Sequence, residues 1–137
     1  MFLSNVHLYN SIIKTQFLHE FNQKEIEQRV IYCYEETLKK YLKERELIPS
    51  GNHIEISYQD LSKKPIKTIQ KIYEKLQLGD FNNVENKIIE YLESLGEYKK
   101  NKFKKPEPQL IDEINNKWGF SFKEWNYEMI NQPEANQ

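Results

Sequence analysis

Residues 54–79, IEISYQDLSKKPIKTIQKIYEKLQLG, combine two hydrophobic patterns in one short segment. Ile54, Ile56 and Tyr58 alternate with polar residues, which is the two-residue period of a half-buried strand. After Pro65, whose fixed φ suits the first turn of a helix, apolar side chains recur at helical spacing as far as the final glycine. The segment therefore predicts a strand, a tight corner and an amphipathic helix.

The rest of the chain is dominated by helical patterns. Ser4 occupies a natural N-cap position beside the first apolar stripe, and Asn22 and Asn82 each precede a glutamate by three residues, the spacing of a capping box. Gly119 is expected just past the end of the last helix, where a left-handed residue would close it. The predicted content is about five helices and one clear strand, which makes the chain mostly α.

A single strand is unusual, because it leaves the backbone groups of both its edges without partners. The missing strands are therefore expected before Met1. Residues 1–130 are interpreted as the C-terminal portion of a larger domain, followed by a polar tail at 131–137. Since an unpaired strand edge tends to recruit another strand, the pattern also predicts a strand-completing protein partner or a homo-oligomer.

The composition argues against several classes of function. The 137 residues carry 20 Lys and Arg against 21 Asp and Glu, so the net charge of -1 gives no field that attracts nucleic acid. The single cysteine, Cys33, rules out an internal disulfide and a cysteine zinc site, and the three histidines lack metal-ligand spacing. No apolar run approaches the roughly 20 residues of a membrane helix, so a cytoplasmic location without a membrane partner is expected.

Two regions of the sequence resemble the sulfotransferases that use 3′-phosphoadenosine 5′-phosphosulfate (PAPS), in particular the bacterial and Golgi-type members. Residues 56–61, ISYQDL, are similar to the family's corner between a strand and a helix, with Gln59 in place of the usual glutamate. YKKN at 98–101 and the aromatic run at 118–127 are similar to the C-terminal end of these enzymes. The resemblance implies an α/β, P-loop-like fold with a parallel sheet, of which this chain would be the C-terminal half.

The same resemblance assigns residues that bind PAPS as co-substrate. Ser4 stands where the family has a serine that grips the 3′-phosphate, while the arginine of that motif would fall before Met1. Tyr58 matches a tyrosine near the adenine, and Lys100 and Asn101 match a segment placed near the phosphates or an anionic substrate. Because the family's Lys-bearing loop and base are expected upstream of the first residue, no catalytic residue and no metal ligand is assigned in this chain.

These residues also have purely structural interpretations. Ser4 would be an ordinary N-cap, Tyr58 a core tyrosine with its hydroxyl at the rim, and the basic run at 99–105 a solvated loop. Asp60 is expected to cap the local turn rather than to act as an acid. Five aromatic residues near the C terminus are expected in the core: Trp118, Phe120, Phe122, Trp125 and Tyr127.

The leading functional prediction is a sulfotransferase that moves a sulfuryl group from PAPS to a hydroxyl or amine of a small-molecule or glycan acceptor. The chain is expected to be truncated and inactive alone. The alternative is a helical protein-interaction module, or the partner half of a split enzyme. Nucleic-acid binding through the basic run is disfavoured, because the chain is close to neutral overall.

Overall fold

The structure, a computed structural model, describes residues 1–16, 18, 19, 21–96 and 103–131, with Lys14 described by its backbone only. Within these ranges the chain forms six α-helices and two short 3-10 helices. The α-helices are α1 (Phe2–Ser11), α2 (Gln23–Glu44), α3 (Tyr58–Lys63), α4 (Pro65–Leu76), α5 (Asn82–Ser94) and α6 (Pro108–Glu124). The 3-10 helices are Ile13–Gln16 and Arg45–Leu47.

The predicted strand is wrong. Residues 54–57 belong to no strand, and none of the described residues forms a sheet. Tyr58 instead begins α3, because the Oγ of Ser57 accepts a hydrogen bond from the amide of Asp60 at 2.9 Å and so caps the helix. Alternating apolar residues favour an extended backbone, but a strand also needs a neighbour with which to pair. The α/β parallel-sheet fold is therefore overturned for the described chain, whereas the strand-completing partner or homo-oligomer stays a prediction.

Two helix boundaries also differ from the prediction. Ser4 lies in the first turn of α1 and not at its N-cap, which is Met1. Gly119 lies inside α6, and the left-handed residue just after that helix is Asn126, with a φ of 54°. After glycine, asparagine is the residue that adopts this conformation most readily. The helix therefore extends to Glu124, six residues beyond Trp118, the expected last residue.

The capping predictions have mixed outcomes. At the start of α2, Oδ1 of Asn22 accepts from the amide of Glu25 at 2.9 Å, and the carboxylate of Glu25 accepts from the amide of Asn22 at 2.8 Å. This reciprocal pair is the predicted capping box. The box at the start of α5 is wrong, because the amide of Asn82 donates to Oδ1 of Asp80 at 3.0 Å instead. Pro65 begins α4, as predicted.

The chain divides into two compact units, and each is described by itself. The first comprises residues 1–43 and 102–137, and the second comprises residues 44–101. In the first unit, apolar side chains from α1, α2 and α6 form a shared core. Its buried members are Phe2, Val6, Ile26, Val30, Ile31, Ile114 and Trp118.

Trp118 connects α6 with α2 inside this core. Its indole N–H donates to the carbonyl of Ile31 at 3.1 Å, and its ring centroid lies 4.0 Å from that of Tyr34. Trp118 therefore fulfils the expectation of a core aromatic residue, and three other C-terminal aromatic side chains are half-buried while Tyr127 is exposed. Cys33, expected in the core, is half-buried.

The second unit buries much less. Among its described residues only Thr68 and Phe81 are buried, and Phe81 meets Tyr73 edge-to-face with ring centroids 5.5 Å apart. Large apolar side chains stay on its surface: Leu47, Ile48, Ile56, Tyr58, Leu78, Ile89, Tyr91 and Leu95. This unit therefore has no core comparable with that of the first.

Candidate ligand-binding groove

The corner between residues 54–57 and α3 is held by one serine. Ser57 adopts an extended backbone conformation, and its Oγ accepts from the amide of Asp60 while donating to Oδ2 of the same residue at 2.8 Å. The carboxylate of Asp60 is thus part of the helix cap. The expectation that Asp60 serves the local turn rather than acid catalysis agrees with this geometry.

Tyr58 is the first residue of α3 and projects directly from this corner. Its side chain is 60% exposed, so it is not the core tyrosine of the structural interpretation. An exposed aromatic ring at the start of a helix is accessible for stacking on a planar ligand.

A groove of about 540 Å³ lies in the second unit, beside this corner and along one side of α4. Six charged residues line it: Lys64, Lys67, Lys71, Glu55, Asp60 and Glu74. Ser57 and Thr68 add hydroxyl groups to its wall. Sequence reasoning missed this site, although the spacing of four residues places Lys67 and Lys71 on one face of α4, with Lys64 at its N-cap.

Each carboxylate of the groove accepts a hydrogen bond from another side chain. Glu55 accepts from Arg45 at 3.1 Å, and Glu74 accepts from the side-chain amide of Gln70 at 3.0 Å. Asp60 is held by Ser57. The three lysine side chains, in contrast, are exposed and make no hydrogen bond or ion pair with any other residue that the structure describes.

The remaining predicted cofactor residues are not brought together with this groove by any described contact. Ser4 is exposed in the first turn of α1, in the first unit, whereas Tyr58 belongs to the second. Lys100 and Asn101 lie outside the described residues, as does most of the basic run. Lys104 and Lys105 are described and are exposed in the irregular segment before α6.

The most buried charged group in the described chain is Glu35, which sequence reasoning missed. Its side chain is 12% exposed and contacts Nζ of Lys39 at 2.6 Å and Nζ of Lys117 at 3.4 Å. The hydrogen bond from Lys39 lowers the pKa of Glu35, burial opposes this, and Lys117 lowers the pKa further. The same bond raises the pKa of Lys39. Because both partners are cations and the cluster joins α2 to α6, this site is structural.

The described ranges contain neither a metal cluster nor a membrane-spanning helix. No group of three or more His, Cys, Asp or Glu side chains there could hold a metal ion. Every helix in the described part of the chain is too short or too polar to span a membrane.

The chain is similar to curated proteins from mycobacteria. Relatives from Mycobacterium bovis and Mycobacterium tuberculosis, each named omega-hydroxy-beta-dihydromenaquinone-9 sulfotransferase Stf3, are 25% identical over 127 residues. The aligned region covers 91% of this chain but 32% of the relative, so the chain spans about a third of the length of these proteins. No family model matches the chain, and no solved structure matches it either. The similarity supports a distant relationship to sulfotransferases.

Proposed function

We propose that the chain is part of a PAPS-dependent sulfotransferase. The observation that carries this proposal is the similarity to a sulfotransferase across 91% of the chain. Since the aligned region is 32% of the relative's length, the isolated 137-residue chain is proposed to have little or no transferase activity by itself. A sulfation assay of the purified chain with PAPS and model acceptors measures this directly.

In the proposed reaction, a hydroxyl or amine of a small-molecule or glycan acceptor attacks the sulfur of PAPS. A new bond to sulfur forms while the bond between sulfur and the bridging oxygen of the 5′-phosphate breaks, and the acceptor's proton passes to a base. The other product is 3′-phosphoadenosine 5′-phosphate. We assign none of these steps to a residue of this chain, whose proposed contribution is to bind the nucleotide.

Tyr58 is proposed to stack on the adenine. Its exposure and its position directly after the helix-capping Ser57 support this role, because an exposed ring offers a face to a base without first leaving a core.

Ser4 is proposed to contact the 3′-phosphate through its hydroxyl. It is exposed near the start of α1, where backbone N–H groups lack helical acceptors and favour an anion. Lys100 and Asn101 are proposed to lie near the phosphates, on the family resemblance alone.

Calorimetry with 3′-phosphoadenosine 5′-phosphate tests the nucleotide site. We expect Tyr58→Ala to weaken binding by about 5- to 150-fold, which corresponds to the roughly 1–3 kcal/mol of base–aromatic stacking. Tyr91→Ala is the matched control, since Tyr91 is 61% exposed in the same unit. Equal effects of the two substitutions, or no binding by the unaltered chain, would remove the support for a nucleotide site at Tyr58.

A second candidate function is a helical interaction module. The exposed apolar side chains of the second unit, among them Leu47, Leu78 and Leu95, favour it. This candidate predicts that the chain associates without nucleotide, either with itself or with the other part of a split enzyme. Sedimentation velocity over a range of concentrations tests the self-association: Leu78→Lys should shift the chain towards monomer, whereas Lys75→Gln should not.

A further inference from the structure

The groove beside α4 presents positive charge that the described part of the protein leaves unused. Three carboxylates line it: Glu55 pairs with Arg45, while Asp60 and Glu74 accept hydrogen bonds from neutral side chains and keep their charge. The lysine side chains at 64, 67 and 71 have no such partner among the described residues. We infer that this groove binds a small-molecule ligand that carries two or more phosphate or sulfate groups.

The arrangement of the lysines favours several linked anionic groups over a single one. Lys64 is the N-cap residue of α4 and Lys71 lies seven positions further along, inside the helix, which separates their backbones by about 10 Å along the axis. Lys67 lies between them on the same side of the helix. One phosphate contacts at most a part of this row, whereas a chain of linked anionic groups contacts all three ammonium groups at once.

The surroundings of the row favour a short ligand over a long polyanion. Asp60 and Glu74 line the same groove and accept only from neutral side chains, so a nucleic-acid backbone extending past the lysines would meet negative charge. The chain as a whole has a net charge of -1 and provides no broader attraction. The favoured ligand is therefore comparable in length with the row itself.

This inference is independent of the proposed nucleotide site, because it requires no adenine and no contact with Tyr58. The probe is sodium tripolyphosphate, titrated into the ¹⁵N-labelled full chain at low ionic strength and followed by amide chemical shifts. We expect saturable shifts centred on residues 55–74. Inorganic monophosphate should bind more weakly, since it cannot contact the whole row.

Two triple variants separate a local site from a general charge effect. Lys64→Gln/Lys67→Gln/Lys71→Gln removes the row, while Lys63→Gln/Lys75→Gln/Lys87→Gln removes three exposed lysines of the same unit that do not line the groove. Both variants lose the same charge, and glutamine has nearly the same helix propensity as lysine. Circular dichroism verifies that each variant is as helical as the unaltered chain.

The groove variant should bind tripolyphosphate about tenfold more weakly than the unaltered chain, and the control variant less than about threefold more weakly. Equal weakening in the two variants would show diffuse attraction and overturn the inference, as would the absence of saturable shifts in the unaltered chain. Monophosphate binding as tightly as tripolyphosphate would overturn the requirement for linked anionic groups. If tripolyphosphate binding survives Tyr58→Ala while nucleotide binding is lost, the groove stands apart from the nucleotide site.

Discussion

Replacing Glu35 with glutamine removes the charge that joins α2 to α6 while it keeps the shape of the side chain. In the folded protein this carboxylate is 12% exposed and accepts from Lys39 at 2.6 Å, with Nζ of Lys117 at 3.4 Å. A hydrogen bond to a charged group contributes about 1.5–3 kcal/mol to stability. Both lysines are about half exposed, which screens the interaction, so we expect Glu35→Gln to lower the free energy of unfolding by about 1–2 kcal/mol near neutral pH.

The loss of unfolding free energy caused by Glu35→Gln should become smaller at acidic pH. The pKa of Glu35 in the folded protein lies below its ordinary value of 4.5, mainly because of the hydrogen bond from Lys39. A carboxyl group with a lowered folded-state pKa contributes its full stabilisation above its unfolded-state pKa and loses it as the pH falls through the folded-state pKa. The difference between the unaltered chain and Glu35→Gln should therefore be constant above about pH 6 and shrink as the pH falls below 4.5.

Urea unfolding followed by tryptophan fluorescence measures this difference. Trp118 and Trp125, the two tryptophans of the chain, both belong to the first unit, so the fluorescence reports the unit that contains Glu35. Glu36→Gln is the matched control, because Glu36 is the neighbouring glutamate, is 54% exposed and lies 3.9 Å from Lys39. It should cost less than about 0.5 kcal/mol. If the two variants cost the same, or if the cost of Glu35→Gln does not change with pH, the assignment of Glu35 as a charged link between the helices is refuted.

Two further pairs of substitutions test the first unit by the same fluorescence assay. Ile114→Ala should lower the free energy of unfolding by about 2–5 kcal/mol, because Ile114 is fully buried in the shared core. Ile12→Ala, at an exposed position, should lower it by less than about 1 kcal/mol. Similar losses in the two variants would contradict the core assignment. Asn22→Ala should lower the free energy of unfolding by about 1 kcal/mol, because it removes the cap of α2. Ser4→Ala should leave it nearly unchanged, because Ser4 is not a helix cap. A larger loss for Ser4→Ala than for Asn22→Ala would contradict the observed start of α1.

The sequence predicted best those features whose interacting atoms are close in the chain. Asn22 and Glu25 are three residues apart, so their spacing alone is enough to identify the capping box. Pro65 at the start of α4 is equally local, because its ring fixes φ whatever surrounds it. The exposed apolar residues of the second unit could not be predicted, because the helical spacing marks a face that can be buried without specifying what buries it.

The strand was predicted wrongly although a local pattern pointed to the observed structure. Ser57 precedes Asp60 by three residues, and this spacing is a start signal for a helix. The alternation of Ile54 and Ile56 is compatible with a strand, but pairing depends on residues distant in sequence, and the described chain supplies none. Tyr58 could continue a strand or begin a helix, and the hydrogen bond between Ser57 and the amide of Asp60 stabilises the helix.

The two regions of family resemblance differ in what the structure explains. Trp118 is buried, donates its indole N–H to Ile31 and packs against Tyr34, so core packing is a sufficient reason for an aromatic residue at that position. Tyr58 is largely exposed, and burial gives no comparable reason for its ring. A match to the family at a buried residue such as Trp118 is explained by a shared fold, whatever the function. A match at an exposed aromatic residue such as Tyr58 favours a shared ligand instead. The comparison of Tyr58→Ala with Tyr91→Ala therefore tests the proposed function more directly than any substitution in the C-terminal aromatic run.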